Sequence, residues 1–185
     1  MYKRQLIRES LSKPAYKEKL RLRSYGVPDM DSKVFLEIKK KYRGLVNKSR
    51  TILELGEAYD FIETGVKPEL QDYMNGQVLN ELEYCLNLYD LEPKVYIAYD
   101  RLAYFEKGND DLRISFDTNI RTRRSDLLLE SGDHGKRLLD SDVWLMEIKT
   151  SLAKPLWLCE MLSEFEIRSS SFSKYGTEYK NMMAR

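Results

Sequence analysis

From Lys17 to Tyr25 (KEKLRLRSY) the chain alternates, with Leu20 and Leu22 on one side and Lys17, Lys19, Arg21 and Arg23 on the other. A period of two predicts a strand. Val34–Lys41 (VFLEIKKK) repeats the arrangement, opposing Val34, Leu36 and Ile38 to Phe35, Glu37, Lys39 and Lys41. Gly44 interrupts it, and Leu45–Thr51 predicts a returning strand with Lys48 and Arg50 on one side. From Thr51 to Asp90 the period becomes helical. Leu53, Ala58, Phe61 and Ile62 mark a short amphipathic helix closing near Gly65. Pro68 is placed to open a second, whose stripe runs through Leu70, Met74, Val78, Leu82, Cys85 and Leu86. The acids lie off that stripe, which predicts outer helices with a solvated acidic face.

Strands then return. Pro93–Phe105 is rich in Tyr, Val and Ile, Lys107–Asp110 reads as a turn, and Leu112–Thr118 (LRISFDT) reads as the partner strand. Residues 121–124 (RTRR) form a basic cluster, Glu130–Lys136 is a loop by composition, and Val143–Thr150 (VWLMEIKT) is a strand. Pro155 opens a helix through Leu158, Met161, Leu162 and Phe165, followed by a polar coda at Ser169–Tyr175. The fold class is α+β: an antiparallel sheet with helices packed outside it.

Length and composition narrow this only a little. A chain of 185 residues with 42% apolar residues can bury its own core, which excludes a disulfide-stapled miniprotein. Cys85 and Cys159 lie far apart in helix-like segments. That suits a reducing compartment and argues against a structural zinc site. No apolar run approaches the roughly 18 to 20 residues of a membrane span, and no signal peptide is read, so a cytoplasmic setting is expected.

Charge changes the picture more. The net charge is +1, yet residues 1–50 hold fifteen Lys or Arg against five acids, and residues 53–92 hold ten acids against Lys67 alone. Like charges on neighbouring strands repel, so a solvated sheet face normally mixes signs. Here Lys17, Lys19, Arg21, Arg23, Lys39, Lys41, Lys48, Arg50, Arg101 and Arg113 repeat one sign over at least five candidate strands. If the sheet closes, helices cover the apolar outside and the cations line the inside. Such a lumen is stable only around a polyanion or bound anions, and arginine suits phosphate through bidentate hydrogen bonds.

Glu37 and Glu147 each stand two residues before a lysine. They are open to two readings: charge balance among the cations, or carboxylate ligands of a hard divalent ion that also binds substrate phosphate. His134 lies in a loop without a Cys or His neighbour, a lone surface histidine. No phosphate-loop, dinucleotide or nucleophile-elbow motif occurs. Tyrosines among the basic strands (Tyr16, Tyr25, Tyr42, Tyr96, Tyr99, Tyr104) leave open a barrel that stacks nucleic-acid bases, although packing with a wet hydroxyl is their commoner use.

Six segments in order, KLRLRSYG (19–26), VFLEIKKKYRG (34–44), YDRLAYF (99–105), LRISFDTNIRTR (112–123), WLMEIKT (144–150) and FSKY (172–175), resemble the VTC domain. This is the vacuolar-transporter-chaperone type of polyphosphate polymerase domain, among the CYTH-like triphosphate tunnel metalloenzymes. The resemblance implies an eight-stranded antiparallel β-barrel tunnel that binds ATP and inorganic polyphosphate. With Mn²⁺ or Mg²⁺ it transfers the γ-phosphate to a growing chain. By motif match Arg21, Arg23, Lys39 and Lys48 grip phosphates, Tyr99 and Arg101 form a Tyr-x-Arg pair, and Arg113 is a further phosphate ligand. Glu147 matches a metal ligand beside Lys149, and Ser173 and Lys174 match a closing Ser-Lys segment. The expected catalytic set is Arg21, Arg23, Lys39, Arg101, Arg113, Lys149 and Lys174. Substrate-binding residues are Lys19, Lys41, Lys48, Arg50, Tyr99 and Ser173, and metal ligands are Glu147 and Glu37.

The family's first strand, with a Glu-x-Lys pattern, has no counterpart before Leu6, and Ile7–Ser10 looks like what should follow it. Met1–Gln5 (MYKRQ) resembles a translated transposase sequencing adapter. A non-native leader over 1–5 and a domain over 6–185 lacking its first one or two strands are therefore expected. Two other activities share the lining: a tunnel triphosphatase, with water as acceptor, and a non-catalytic polyphosphate sensor. No nucleic-acid partner is expected, and a membrane-bound partner that receives product stays open.

Overall fold

The computed structural model describes residues 15–89, 91–151 and 153–184. The leader expected at Met1–Gln5 and the segment up to Pro14 lie outside the described residues. The chain divides into two compact units, one built on residues up to Lys94 with Asp126–Asp133, the other on Val95–Ser125 with the chain from His134 onward.

In the first unit β1 (Tyr16–Arg23), β2 (Lys33–Tyr42) and β3 (Leu45–Glu54) form an antiparallel sheet in that order. The alternation read in the sequence sets the register, pairing Leu20 with Ile38 and Leu22 with Leu36. β2 returns into β3 through two residues of positive φ, Arg43 (43°) and Gly44 (95°), the primed turn that matches strand twist. β3 runs directly into α1 (Leu55–Thr64), where the Glu57 side chain reaches back to the Glu54 N–H at 3.2 Å. Gly65 ends α1 in a left-handed conformation, φ 71°, donating to Phe61 O.

The second helix begins later than the pattern predicted. Asn75, not the neighbourhood of Pro68, caps α2 (Gly76–Leu88), its side chain accepting from Val78 N at 3.1 Å, and Leu70 is exposed. A side-chain acceptor for an orphan N–H stabilises a helix start, whereas Pro only tolerates one. Leu53, read as helical, belongs to β3. Val34, Leu36, Ile38 and Leu53 from the sheet pack with Leu55, Ala58, Phe61, Leu79 and Leu82 from the helices, all at most 1% exposed. Cys85 joins this core, and burial pushes its thiol up to about 11.

The second unit holds β4 (Tyr96–Glu106), β5 (Asn109–Arg123), β6 (Lys136–Arg137) and β7 (Leu145–Lys149), then α3 (Leu156–Glu164) and α4 (Lys174–Met183). β5 is the axis, with β4 along one side and β6 and β7 pairing further stretches of it. Three segments differ from expectation. β5 is fifteen residues long and absorbs most of the RTRR cluster. The loop at Glu130–Lys136 ends in a short strand because Arg121 and Thr122 pair with Arg137 and Lys136. The polar coda opens α4, capped by Ser173, whose side chain accepts from Gly176 N at 3.2 Å.

The described strands thus form a three-stranded and a four-stranded antiparallel sheet, one in each unit. Among the described residues no helix is long and apolar enough to cross a membrane.

Candidate functional site: a charged face in each unit

On one face of the first sheet the register stacks side chains in rows. Lys17 pairs with Lys41; Lys19, Lys39 and Lys48 form the next row; Arg21, Glu37 and Arg50 the third; Arg23, Phe35 and Ile52 the last. Same-face rows lie about 6.8 Å apart, twice the rise of an antiparallel strand. The opposite face faces the core, so the strands have no freedom to turn their cations elsewhere.

Glu37 holds this grid together. It is 2% exposed, accepting from Arg21 Nε at 2.8 Å and from Arg21 Nη2. Lys48 Nζ lies 3.1 Å from Oε1 as an ion pair, but off hydrogen-bond geometry, so Oε1 keeps an unused lone pair. Burial raises the carboxyl pKa, but Arg21 and Lys48 outweigh it, and the net shift is downward. At Lys19 desolvation and then repulsion from Lys17 and Lys39 push the ammonium below the usual lysine range.

The second sheet presents a mixed face. Its rows are Arg101 with Asp117, Ser115 with Glu147, and Arg113 with Lys149. Asp117 is 1% exposed and takes both Arg101 Nε and Arg101 Nη2, the latter at 2.7 Å. Lys174, from the first turn of α4, donates to the same carboxylate. Both cations flank Tyr99, whose ring centroid is 5.1 Å from the Arg101 guanidinium carbon and 4.4 Å from Lys174 Nζ. Burial raises the Asp117 pKa, but hydrogen bonds from Arg101 and Lys174 bring it below the usual carboxylate range. The Arg124–Glu178 pair holds α4 in place. Arg113 stacks on Phe105 at 5.2 Å, and Ser173 serves as the α4 cap.

Every predicted site residue is therefore on a charged face or at the start of α4, but one prediction changes. One sign was expected over both sheets with Glu37 and Glu147 as the exceptions; the first unit has that arrangement, whereas the second adds Asp117 to Glu147 among its cations. Asp117 was not singled out, although it lies in phase with Arg113 and Ser115 and only an in-phase residue can meet Arg101 across the strands. The RTRR cluster contributes no open cationic patch. Arg121 pairs with Asp100, Arg123 bonds the His134 carbonyl at 2.8 Å, and Arg124 pairs with Glu178.

The donor set bears on a divalent ion. Among the described residues no three His, Cys, Asp or Glu side chains converge. Glu147 has a side chain 46% exposed, with Lys149 Nζ at 3.4 Å and Arg101 Nη2 at 3.6 Å. One open carboxylate fits a cation that takes its other ligands from phosphate oxygens and water; it does not fit one held by protein alone. Glu37, buried between two cations, balances charge in this structure.

The sequence profile of the VTC domain matches residues 2–183. The chain belongs to the VTC domain family. Membership implies a polyphosphate-related, tunnel-type function, in a family associated with polyphosphate polymerases. No match is found among curated proteins. In this VTC domain the cationic rows repeat positive charge along one sheet face, and the Asp117-centred cluster fixes positive charge in place.

Proposed function

We propose that the chain is a metal-dependent phosphotransferase that transfers the γ-phosphate of ATP to a growing inorganic polyphosphate chain. The observation that carries this reading is the cation-rich face of the first unit. Lys17, Lys19, Lys39, Lys41, Lys48, Arg21, Arg23 and Arg50 share it with one carboxylate, Glu37. Repeated rows of cations suit a ligand that repeats its negative charge. The closed eight-stranded tunnel of the family belongs to this proposal, as do Mn²⁺ or Mg²⁺ and a cytoplasmic setting.

The transfer needs no covalent nucleophile. A terminal oxygen of the acceptor chain attacks the γ-phosphorus, the bond from that phosphorus to the β–γ bridging oxygen breaks, and ADP leaves. Catalysis of this step is mostly positioning and charge stabilisation. Arg101 and Lys174, held by Asp117, supply charge that does not reorganise during the reaction. Arg113 and Lys149 add donors for equatorial oxygens, and the lysine rows hold the polyanion. A metal beside Glu147 would supply further neutralisation of phosphate oxygens.

The test is product analysis of the full chain with ATP and Mn²⁺. Polyphosphate ladders with stoichiometric ADP support the proposal; orthophosphate alone assigns the triphosphatase. Glu147→Ala should abolish turnover while retaining triphosphate binding. The pairing of Glu147 with Lys149 and Arg101 favours one second reading, a binding module that works without metal. That reading predicts tight triphosphate binding with no turnover in the unmodified chain.

A further inference from the structure

The charged face of the first unit has two unlike ends. At one end cations dominate, Lys17 and Lys41 with Val46 in the outermost row and then Lys19, Lys39 and Lys48 in the next. At the other the last row is Arg23, Phe35 and Ile52, with aromatic and apolar groups where cations stood. There Tyr25 meets Phe35 edge to face at 5.7 Å, Arg23 lies over Tyr25 at 4.5 Å, and Arg50 lies over Phe35 at 5.2 Å. Arg50 faces Glu37 across the strands, yet that carboxylate is taken by Arg21 and Lys48. Its guanidinium is therefore held by a ring and paired with no carboxylate among the described residues.

Arg50 also lines a cavity of about 480 Å³ with Thr51, Ile52, Tyr73, Met74, Asn75 and Gly76. Tyr73 is fixed by Lys33, whose Nζ lies 3.9 Å from the ring centroid. The lining combines one cation, one aromatic ring and the apolar Ile52 and Met74 with the polar Thr51 and Asn75, a mixture that suits a planar heteroaromatic ring with hydrogen-bonding edges better than a bare polyanion. Two donors at the neighbouring helix start are already used: Asn75 N bonds Thr51 Oγ1 at 3.0 Å, and Val78 N bonds the Asn75 side chain.

We propose that this cavity takes the nucleobase of a nucleoside triphosphate, with Tyr73 and Ile52 against the base and Arg50 at the junction with the phosphates. The triphosphate then runs from the Arg21–Arg50 row toward the lysine rows, so the sheet fixes the polarity of the bound nucleotide. This rests on the phosphate-binding reading above and adds to it a base subsite and a direction.

The experiment is calorimetric titration of the full chain, unmodified and as Tyr73→Ala, with ATP and with methyl triphosphate, which carries the same triphosphate charge without base or sugar. The unmodified chain should bind ATP about tenfold more tightly than methyl triphosphate, as one stacked base provides. Tyr73→Ala should remove that advantage while leaving methyl triphosphate affinity unchanged, which also reports that the sheet is folded. Ile52→Ser should reduce the advantage in the same direction. Equal affinity for the two ligands in the unmodified chain overturns the proposal, as does an equal loss for both in Tyr73→Ala. If neither ligand binds, the phosphate-binding reading itself falls, a result distinct from either of these.

Discussion

The two charged faces solve the same problem in opposite ways. In the first unit eight cations share a face with Glu37, on strands backed by a core of sheet and helix side chains. In the second, Asp117 and Glu147 stand among Arg101, Arg113, Lys149 and Lys174. Its buried apolar residues reduce, among the described ones, to Leu112, Ile120 and Leu158. A rigid, well-packed backing can carry an excess of one sign, because the hydrophobic gain behind it offsets the repulsion in front. A thin backing cannot, and there the cations are tied to carboxylates. The first face is suited to attracting a polyanion, the second to holding a few donors in fixed positions.

The largest effect should come from Asp117→Ala. Removing the carboxylate leaves Arg101 and Lys174 facing each other across a buried gap, at a loss of about 3–5 kcal/mol, measured by urea unfolding. Turnover, where present, should fall by more than a hundredfold even at temperatures where the variant is folded. Next, Leu82→Ala should destabilise by about 3 kcal/mol, and Leu158→Ala by less than about 2, because only Leu82 sits in a cavity-forming core. Equal losses in these two would break the contrast between the backings. Glu37→Gln should lower stability by about 2 kcal/mol at low ionic strength. Added inorganic triphosphate should restore more of that loss than it adds to the unmodified protein, since the ligand replaces the missing negative charge.

Acid sharpens the comparison further. Asp117 and Glu37 both have folded-state pKa values below their ordinary ones. Their contribution is complete above the unfolded carboxylate values near about 4 and is lost as pH falls through the depressed folded values. Melting temperature should therefore drop below about pH 4, and Asp117→Ala should flatten that drop. The smallest effect is expected from Lys41→Ala, an exposed cation in the outermost row, with triphosphate binding weakened about two- to threefold.

Much of this was readable from residue order. Alternation in KEKLRLRSY and VFLEIKKK gave the strands, their faces and the cationic rows, because a strand has only two sides and the apolar one must be buried. The position of α2 was not readable: Pro68 permits a helix start, but the Asn75 cap and the packing of Val78 and Leu79 decided it. The same holds for α4, whose hydrophobic signal is weak and whose anchors, Asp117 and Glu178, lie on other elements or on its buried side.

The sequence by itself determined the fold class, the sign and side of the charges in the first unit, and family membership, all properties of local periodicity and ordered motifs. Only the tertiary structure decided how the cations are used. It assigned Glu37 to Arg21 and Lys48 in preference to Arg50, made Asp117 the joint holder of Arg101 and Lys174, and left Arg50 at a cavity. The reason is that an ion pair depends on which carboxylate the folded backbone brings within reach, and residues sixteen or fifty-seven positions apart in the chain meet only after the sheet and α4 have formed.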